Sequence, residues 1–282
     1  MSKLKKALEK AKESREHDQQ PIYDKSGYPQ GKERVNIRPI ECRPEINIKY
    51  SETKIKKIDD RVLKNGKVIS LFHDLEKADQ IKTLRTQILN RLKELGGSSL
   101  LVTSANPYEG KTFTAINLGV SIAQELDRTV LIVDCDLKNH SNNHKKFGKD
   151  FFGTPMDEGL SNYLLGQTEI QDLLINPGIE RLVLLPAGNS LPNSAEMLSS
   201  PRMETLVNEI KCRYPKDRIV IFDSSSLLTS ADPLVLARFV DGILLVVEEE
   251  KTTTEDLKKV MELLKDKPLI GTVMNKSISI AD

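Results

Sequence analysis

Short runs of consecutive apolar residues alternate with helical periodicities over most of the chain. The runs are SLLVTSA, TVLIVDCD, LVLLPAG, RIVIFDSS, GILLVVEE and LIGTVMN. Such short runs suit strands that are buried on both faces of a sheet. Helical spacing recurs between them, near residues 111–125, 159–174, 201–213, 231–239 and 253–265. The pattern predicts an α/β domain with a parallel β-sheet flanked by helices on both faces.

Another helix is predicted ahead of the first apolar run. The segment DLEKADQIKTLRTQILNRLKEL ends at Gly96-Gly97, a common way to end a helix. Its apolar residues recur at helical spacing, and they are Leu75, Ala78, Ile81, Leu84, Ile88 and Leu92.

The first part of the chain has a different pattern. Residues 2–16 predict a short basic helix with a narrow apolar face, too small for stable membrane anchoring by itself. Residues 19–67 show no sustained periodicity and predict a linker or irregular arm. We therefore expect a basic N-terminal extension over 1–68 and one domain over 69–282.

Charge is distributed unevenly, although the net charge of the 282 residues is only +1. Residues 1–70 hold 18 Lys and Arg against 11 Asp and Glu, and the rest holds 24 against 30. Either a basic functional arm or a solvated lysine-rich linker explains this imbalance. Tyr23, Tyr28 and Tyr50 form no stacking motif, so nucleic acid is not the expected partner.

Three separated cysteines, Cys42, Cys135 and Cys212, form no C-x-x-C pair, and the four histidines are scattered. This favours a reducing compartment and gives no Cys/His metal site. The chain shows neither a signal-peptide pattern nor an apolar run long enough to cross a membrane. We expect a soluble protein that reaches a membrane only through a partner or a surface contact.

The first apolar run leads into TSANPYEGKTFTA, a candidate phosphate-binding loop. The usual pattern is G-x-x-x-x-G-K-[ST], and Ala105 replaces its first glycine. Lys111 would reach the β- and γ-phosphates, and the Thr112 hydroxyl would bind Mg²⁺. A chance GKT in an ordinary turn is the alternative, but a strand before and a helix after it favour phosphate binding.

Three aspartates follow two of the apolar runs. Asp134 and Asp136 end VLIVDCD, and Asp223 ends RIVIFD. Ligands of open α/β sheets bind at the carboxyl ends of the strands, so these carboxylates can converge on one metal and phosphate group. A helix-capping role is the alternative for each aspartate alone. Three such residues beside a GKT loop argue against coincidence.

Together, TSANPYEGKTFTAINLGVSIA, TVLIVDCDLK and RIVIFDSSSLL resemble the bacterial tyrosine autokinases (BY-kinases). Their loop is of the S-x-x-P-x-E-G-K-T type. Segments such as LPAGNSLPNSAEMLSS are similar to the autokinases of exopolysaccharide and exosortase-associated gene clusters. The resemblance covers nearly all of residues 70–276. It implies the P-loop fold shared with septum-site and chromosome-partitioning ATPases.

The resemblance implies ATP and Mg²⁺ as ligands and assigns a role to each site residue. The nucleotide-binding loop would comprise Pro107, Tyr108, Glu109, Gly110, Lys111, Thr112 and Phe113, and Asn275 would contact adenine. Mg²⁺ would be held by Thr112, Asp134, Asp136 and Asp223. The catalytic residues would be Lys111 and the same three aspartates, one of Asp134 and Asp136 accepting the phenolic proton.

The resemblance also implies partners. Asp79, Lys82 and Arg85 in DQIKTLR resemble the family's E-x-x-R-x-x-R oligomerisation motif, with a solvated helix face as the alternative. A homo-oligomer is therefore expected. So is a transmembrane chain-length-determinant or polysaccharide co-polymerase protein that holds the kinase at the cytoplasmic side of the inner membrane.

Several positions depart from the family pattern. Tyr108 replaces a glycine, Ser224-Ser225-Ser226 replaces a serine with paired prolines, and Lys138 replaces an arginine. No tyrosine follows Tyr214, where family members carry a tyrosine cluster. Three outcomes stay open: acceptors among Tyr23, Tyr28 and Tyr50, phosphorylation of other proteins, or ATP hydrolysis alone.

The predicted function is an ATP-dependent protein-tyrosine autokinase that regulates exopolysaccharide chain length or export. The main alternative is a non-kinase ATPase switch of the partitioning or positioning type. Many such switches carry an extra lysine early in the loop, and none occurs between Leu100 and Lys111. A nucleotide-binding scaffold without catalysis is a third possibility, and the survival of the lysine and the three aspartates argues against it.

Overall fold

The computed structural model describes residues 54–72, 76–138, 147–213 and 218–277. The predicted helix over residues 2–16, the four histidines, Cys42, and the C-terminal residues from Ile278 onward lie outside these ranges. Tyr23, Tyr28, Tyr50 and Tyr214 lie outside them as well.

An eight-stranded sheet forms the centre of the described structure. Its strands lie in the order β1 (Lys54–Ile55), β4 (Ile175–Asn176), β5 (Leu182–Leu185), β3 (Thr129–Asp134), β6 (Arg218–Asp223), β2 (Ser99–Ser104), β7 (Gly242–Glu248), β8 (Leu269–Asn275). The six strands from β5 to β8 are parallel neighbours and coincide with the six apolar runs. Strand β4 runs antiparallel to β5. The predicted parallel sheet is confirmed, with two short edge strands that the pattern did not indicate.

Helices cover both faces of the sheet, as predicted. One face carries α1 (Asp60–Asn65), α2 (Glu76–Glu94) and α3 (Lys111–Ala123). The other carries α4 (Leu160–Leu164), α5 (Ile170–Leu173), α6 (Ser194–Leu198), α7 (Pro201–Arg213), α8 (Asp232–Leu236) and α9 (Thr254–Leu263). A 3₁₀ turn spans Ile69–Leu71 and a π-helical turn spans Phe147–Phe151. None of the described helices combines the length and apolar character needed to cross a membrane.

Each central strand contributes to two hydrophobic cores because successive side chains of a strand point to opposite faces. In β2, Leu101 belongs to the core beneath α4 to α9, whereas Leu100 and Val102 belong to the core beneath α1 to α3. All three are fully buried. Burial on both faces explains why the strands appear in the sequence as continuous apolar runs.

Packed structure begins earlier than the predicted boundary at residue 69. Lys54 and Ile55 pair in parallel with Ile175 and Asn176 as strand β1. Leu63 of α1 and the following Val68 are buried in the core beneath α1 to α3. A two-residue strand and a six-residue helix are too short to produce a clear periodic signal, which is why the sequence pattern places residues 54–68 in the extension.

Candidate active site

The predicted phosphate-binding loop connects β2 to α3 and opens into a cleft of about 1490 Å³. Gly110 precedes the helix with a φ of 99°, and a Cβ at this position would collide with the Asn275 amide. No side chain among the described residues caps α3. The first N–H groups of this 13-residue helix are therefore available to an anion, and Lys111, Thr112 and Phe113 line the cleft.

Glu109 holds the loop from behind. Its side chain is fully buried and accepts hydrogen bonds from the Asn106 N–H at 2.9 Å and the Thr252 hydroxyl at 2.6 Å. The Asn275 amide donates to the Glu109 carbonyl at 2.8 Å. Asn275 does line the cleft, but its amide N–H supports the loop, a role that the adenine prediction did not include.

Tyr108 stands in the loop where the family pattern has a glycine. It adopts a φ of 68°, in the left-handed region that favours glycine over residues with a side chain. Its side chain is 57% exposed at the edge of the cleft, beside Pro107. Its carbonyl accepts a hydrogen bond from the Lys276 ammonium at 2.8 Å.

The three predicted aspartates meet at the carboxyl ends of β3 and β6. Asp134 lies opposite Asp223 in the parallel register of these strands. The N–H of Cys135 donates to the Asp223 carbonyl at 2.7 Å, and the N–H of Asp136 donates to the Asp134 carboxylate at 3.1 Å. All three aspartates line the same cleft as Lys111.

Lys111 forms an ion pair with Asp136, with 3.1 Å between Nζ and Oδ2. The second oxygen of Asp136 and one oxygen of Asp223 are buried, and neither has a hydrogen-bond partner among the described residues. Such oxygens are costly unless a ligand satisfies them.

These residues fit a magnesium ion. No three His, Cys, Asp or Glu side chains form a metal cluster in the described part of the chain. Mg²⁺ commonly binds one or two carboxylates together with water and phosphate oxygens, so two unsatisfied carboxylate oxygens are sufficient. Asp136 and Asp223 would hold the ion together with the Thr112 hydroxyl, which lines the same cleft.

Burial and mutual repulsion shift the pKa values of this cluster. Burial, with the charges of Asp223 and Asp136, raises the pKa of Asp134 well above its usual value. Burial raises the pKa of Asp223 to about 7, although Lys111 and Thr112 oppose the shift. Burial opposes the charge of Lys111, but its three aspartate neighbours more than compensate and raise its pKa. The site therefore holds more carboxylates than a single lysine neutralises, which favours cation binding.

Cys135 lies between Asp134, the last residue of β3, and Asp136. It is fully buried, and its burial and the surrounding aspartates raise the pKa of its thiol well above the usual value.

The predicted oligomerisation residues lie on α2. Lys82 pairs with Asp79 on the same helix, with 2.8 Å between Nζ and Oδ1. Arg85 donates to the Ser121 carbonyl at 2.8 Å and pairs with Glu125 at 3.1 Å. Arg85 thus anchors α2 to the α3 region within the chain, while the Asp79–Lys82 pair lies on the surface.

The first two of the three serines after Asp223 form hydrogen bonds to the neighbouring strand β2. The Ser224 hydroxyl donates to the Val102 carbonyl at 3.2 Å, and the Ser225 carbonyl accepts from the Thr103 hydroxyl at 2.8 Å. Ser226 lines the cleft and lies 2.6 Å from the Thr229 hydroxyl. Lys138, the other noted departure, is exposed.

Comparison with known proteins identifies the fold and its family. A family model described as an AAA domain (AAA_31) matches residues 109–280. The chain is 34% identical over 201 residues to the tyrosine-protein kinase YwqD of Bacillus subtilis, covering 70% of this chain and 80% of YwqD. The chain belongs to the bacterial tyrosine kinases of the P-loop ATPase class.

Solved structures of this kinase family agree with the fold. The kinase domain of the Escherichia coli tyrosine kinase ETK superposes with a TM-score of 0.67 at 27% identity, covering 76% of this chain and 82% of that domain. The septum-site-determining protein MinD from Pyrococcus horikoshii, complexed with Mg-ADP, gives a TM-score of 0.50 at 21% identity. That alignment covers 62% of this chain and 69% of MinD, and it supports the fold alone.

Sequence reasoning missed the residues that hold the loop from its outer side. Two of them follow β7: Thr252 hydrogen bonds to Glu109, and Asp256 accepts from Asn106. The third, Lys276, follows β8 and donates to Tyr108. Each of these contacts joins residues more than 140 positions apart, so no local motif contains both partners.

Proposed function

We propose that this chain transfers the γ-phosphoryl group of ATP to protein tyrosines, including tyrosines of copies of this same chain. The observation that supports this best is a cluster of charged side chains at the N-terminus of α3. Lys111 and the unsatisfied carboxylate oxygens of Asp136 and Asp223 lie together in one cleft. Phosphoryl transfer depends mainly on positioning and charge neutralisation, and this cluster supplies both.

Each part of the cluster has a role in this proposal. The N–H groups at the start of α3 and the Lys111 ammonium bind the β- and γ-phosphates. Thr112, Asp136 and Asp223 would hold Mg²⁺, and the ion would neutralise phosphate charge during transfer.

The transfer itself joins the tyrosine Oη to the γ-phosphorus and breaks the bond from that phosphorus to the β–γ bridging oxygen, so ADP leaves. The phenolic proton passes to Asp134 or Asp136. Either carboxylate is a candidate acceptor because both line the cleft that also contains Lys111.

The finer biological role that we propose is control of exopolysaccharide chain length or export. It is supported by the resemblance to autokinases of exopolysaccharide gene clusters. In this role the kinase acts on the cytoplasmic side of the inner membrane with a transmembrane chain-length-determinant protein.

Assembly into a homo-oligomer belongs to the same proposal. The exposed Asp79–Lys82 pair is the part of the predicted motif that lies on the surface of α2. Arg85 contributes indirectly by fixing that helix to α3. Sedimentation of the wild type and of Lys82→Glu tests this, and an unchanged oligomer in the variant contradicts it.

The decisive experiment is mass spectrometry of the protein after incubation with Mg-ATP, compared with Lys111→Met. Phosphate on Tyr23, Tyr28 or Tyr50 that disappears in Lys111→Met is the expected result. The exposed-lysine control Lys93→Met should retain it. ATP hydrolysis without any phosphotyrosine, even with the partner's cytoplasmic segment supplied, contradicts the kinase and favours the ATPase switch.

A further inference from the structure

Lys276 follows β8, outside the three motifs that carry the family resemblance, and it contacts the phosphate-binding loop. We propose that Lys276 is a positioning residue that keeps the loop in its nucleotide-binding conformation by holding Tyr108 in the left-handed region. The inference rests on the proposed ATP site and adds a residue that supports it. We call Lys276, Glu248 and the Tyr108 carbonyl the latch.

The loop requires a restraint at Tyr108. A residue with a side chain disfavours the φ of 68° that Tyr108 adopts, because its Cβ approaches the neighbouring carbonyl oxygen. Only Glu109 and Gly110 separate Tyr108 from the first turn of α3. A change of Tyr108 to its preferred region would redirect the chain just before Lys111, and the N–H groups would no longer converge on one phosphate.

The latch is built to supply this restraint. The Lys276 ammonium donates to the Tyr108 carbonyl at 2.8 Å and pairs with the Glu248 carboxylate at 3.0 Å. Glu248 is only 15% exposed and also pairs with Lys251 at 3.2 Å. The ammonium is thereby held between a fixed carboxylate and the carbonyl. Lys276 itself has a φ of 59°, so its own backbone also takes a disfavoured conformation where the contact forms.

Other contacts support the loop at different points. Thr252 and Asn275 bond to Glu109, and Asp256 bonds to Asn106. Lys276 bonds to Tyr108, the residue whose conformation is disfavoured. Loss of the latch should therefore affect the loop even though these neighbouring contacts persist.

A direct electrostatic role is the competing explanation, since Lys276 lines the cleft. The two explanations differ in one respect. A direct contact between Lys276 and the nucleotide does not depend on which residue occupies position 108. A latch becomes unnecessary when that residue is glycine, which adopts left-handed angles without strain.

The test is a double-mutant cycle read out as the Kd of Mg-ATP by calorimetry. Tyr108→Gly alone should change the Kd by less than about tenfold, or about 1.4 kcal/mol. Lys276→Met should raise the Kd about tenfold in the wild-type background and less than about threefold in the Tyr108→Gly background. The KM for ATP should rise in parallel while kcat stays within about threefold, because the latch prepares binding and not the chemical step.

Two control variants refine the cycle. Lys251→Met removes the other ammonium group that pairs with Glu248, and within the described part of the chain Lys251 forms no hydrogen bond or ion pair with the loop. The Kd of this variant for Mg-ATP should stay within about twofold of the wild-type value. Lys276→Arg keeps a charged donor and should lose less than Lys276→Met. Thermal unfolding of every variant shows whether it is folded at the temperature of the binding measurement.

An equal loss from Lys276→Met in both backgrounds, or no loss in either, overturns the latch. If the wild type binds Mg-ATP but transfers nothing to tyrosine, the kinase proposal fails, and the double-mutant cycle alone decides the latch. If the wild type binds no Mg-ATP, both proposals fail.

Discussion

Two ends of the same sheet use aspartates in opposite ways. At the amino ends of the strands, Asp241 precedes β7, and its carboxylate accepts from the N–H groups of Ser98 and Ser99, each at 2.9 Å, and from the Ser99 hydroxyl at 2.6 Å. Burial opposes its charge, but these hydrogen bonds outweigh burial and lower its pKa. At the carboxyl ends, Asp223 keeps an oxygen without a partner, and burial raises its pKa to about 7.

The difference distinguishes a structural carboxylate from one that we propose to be functional. Asp241 receives its hydrogen bonds from within the chain, and they tie β7 to the start of β2. Asp223 is deprived of such partners at the place where a cation and phosphates are expected. A buried carboxylate with incomplete hydrogen bonding, beside a lysine and in a cleft, is a stronger indication of function than burial alone.

The largest effect should come from Asp223→Asn. We expect kcat for ATP-dependent phosphorylation to fall at least about 100-fold, because the variant lacks a carboxylate for the metal. The free energy of unfolding should stay equal or rise, since the amide removes a buried charge. Phosphorylation kinetics with Mg-ATP measure kcat. Urea unfolding in the presence of a chelator measures the free energy of unfolding.

The pH dependence checks the same variant. A raised folded pKa means that the contribution of Asp223 to stability is greatest below its unfolded pKa and is lost as the pH rises through about 7. The stability of Asp223→Asn relative to the wild type should therefore increase from pH 5 to pH 8. If Asp223→Asn keeps an activity within about tenfold of the wild type, Asp223 is not one of the functional residues.

Asp241→Asn should show the reverse behaviour. All three hydrogen bonds end on one carboxylate oxygen, Oδ2, and an amide oxygen there would accept them without the negative charge that strengthens them. We therefore expect the free energy of unfolding to fall by about 1–3 kcal/mol. The kcat should stay within about twofold, because Asp241 lies at the end of the sheet away from the cleft. A large loss of kcat with unchanged stability would reverse the assignment.

The smallest effect is the pH dependence of that difference. The pKa of Asp241 is lowered on folding, so its stabilisation is fully present above the unfolded pKa of about 4 and is lost as the pH falls through the folded value. The gap in stability between the wild type and Asp241→Asn should be constant from pH 5 to pH 7 and shrink below about pH 4. Urea unfolding across this range measures it, and a gap that widens in acid contradicts the structural role.

The carboxyl end of the sheet, where the candidate site lies, could be predicted from the sequence to a large extent. The six parallel strands were visible as apolar runs because each is buried on both faces. Asp134 and Asp223 could be brought together because the carboxyl ends of parallel strands lie at one edge. Both inferences use local patterns and a general rule of topology.

The supporting contacts could not be predicted in this way. Lys276 meets Tyr108 across 168 positions, and Asp241 meets Ser99 across 142. Neither pair leaves a periodic signal, since each depends on where the folded strands end. Arg85 shows the same limit, because a charged residue on a helix does not reveal that Ser121 and Glu125 lie within its reach.

Cys135 has a consequence for the chemistry of oxidants. Sulfur must be a thiolate to attack a peroxide or an alkylating reagent, and this thiol stays protonated in its acidic, water-excluded position. Although it is adjacent to both Asp134 and Asp136, it should withstand oxidative stress that would inactivate an enzyme with a reactive thiol in the same place. Maleimide or iodoacetamide labelling of folded protein should leave this position unmodified.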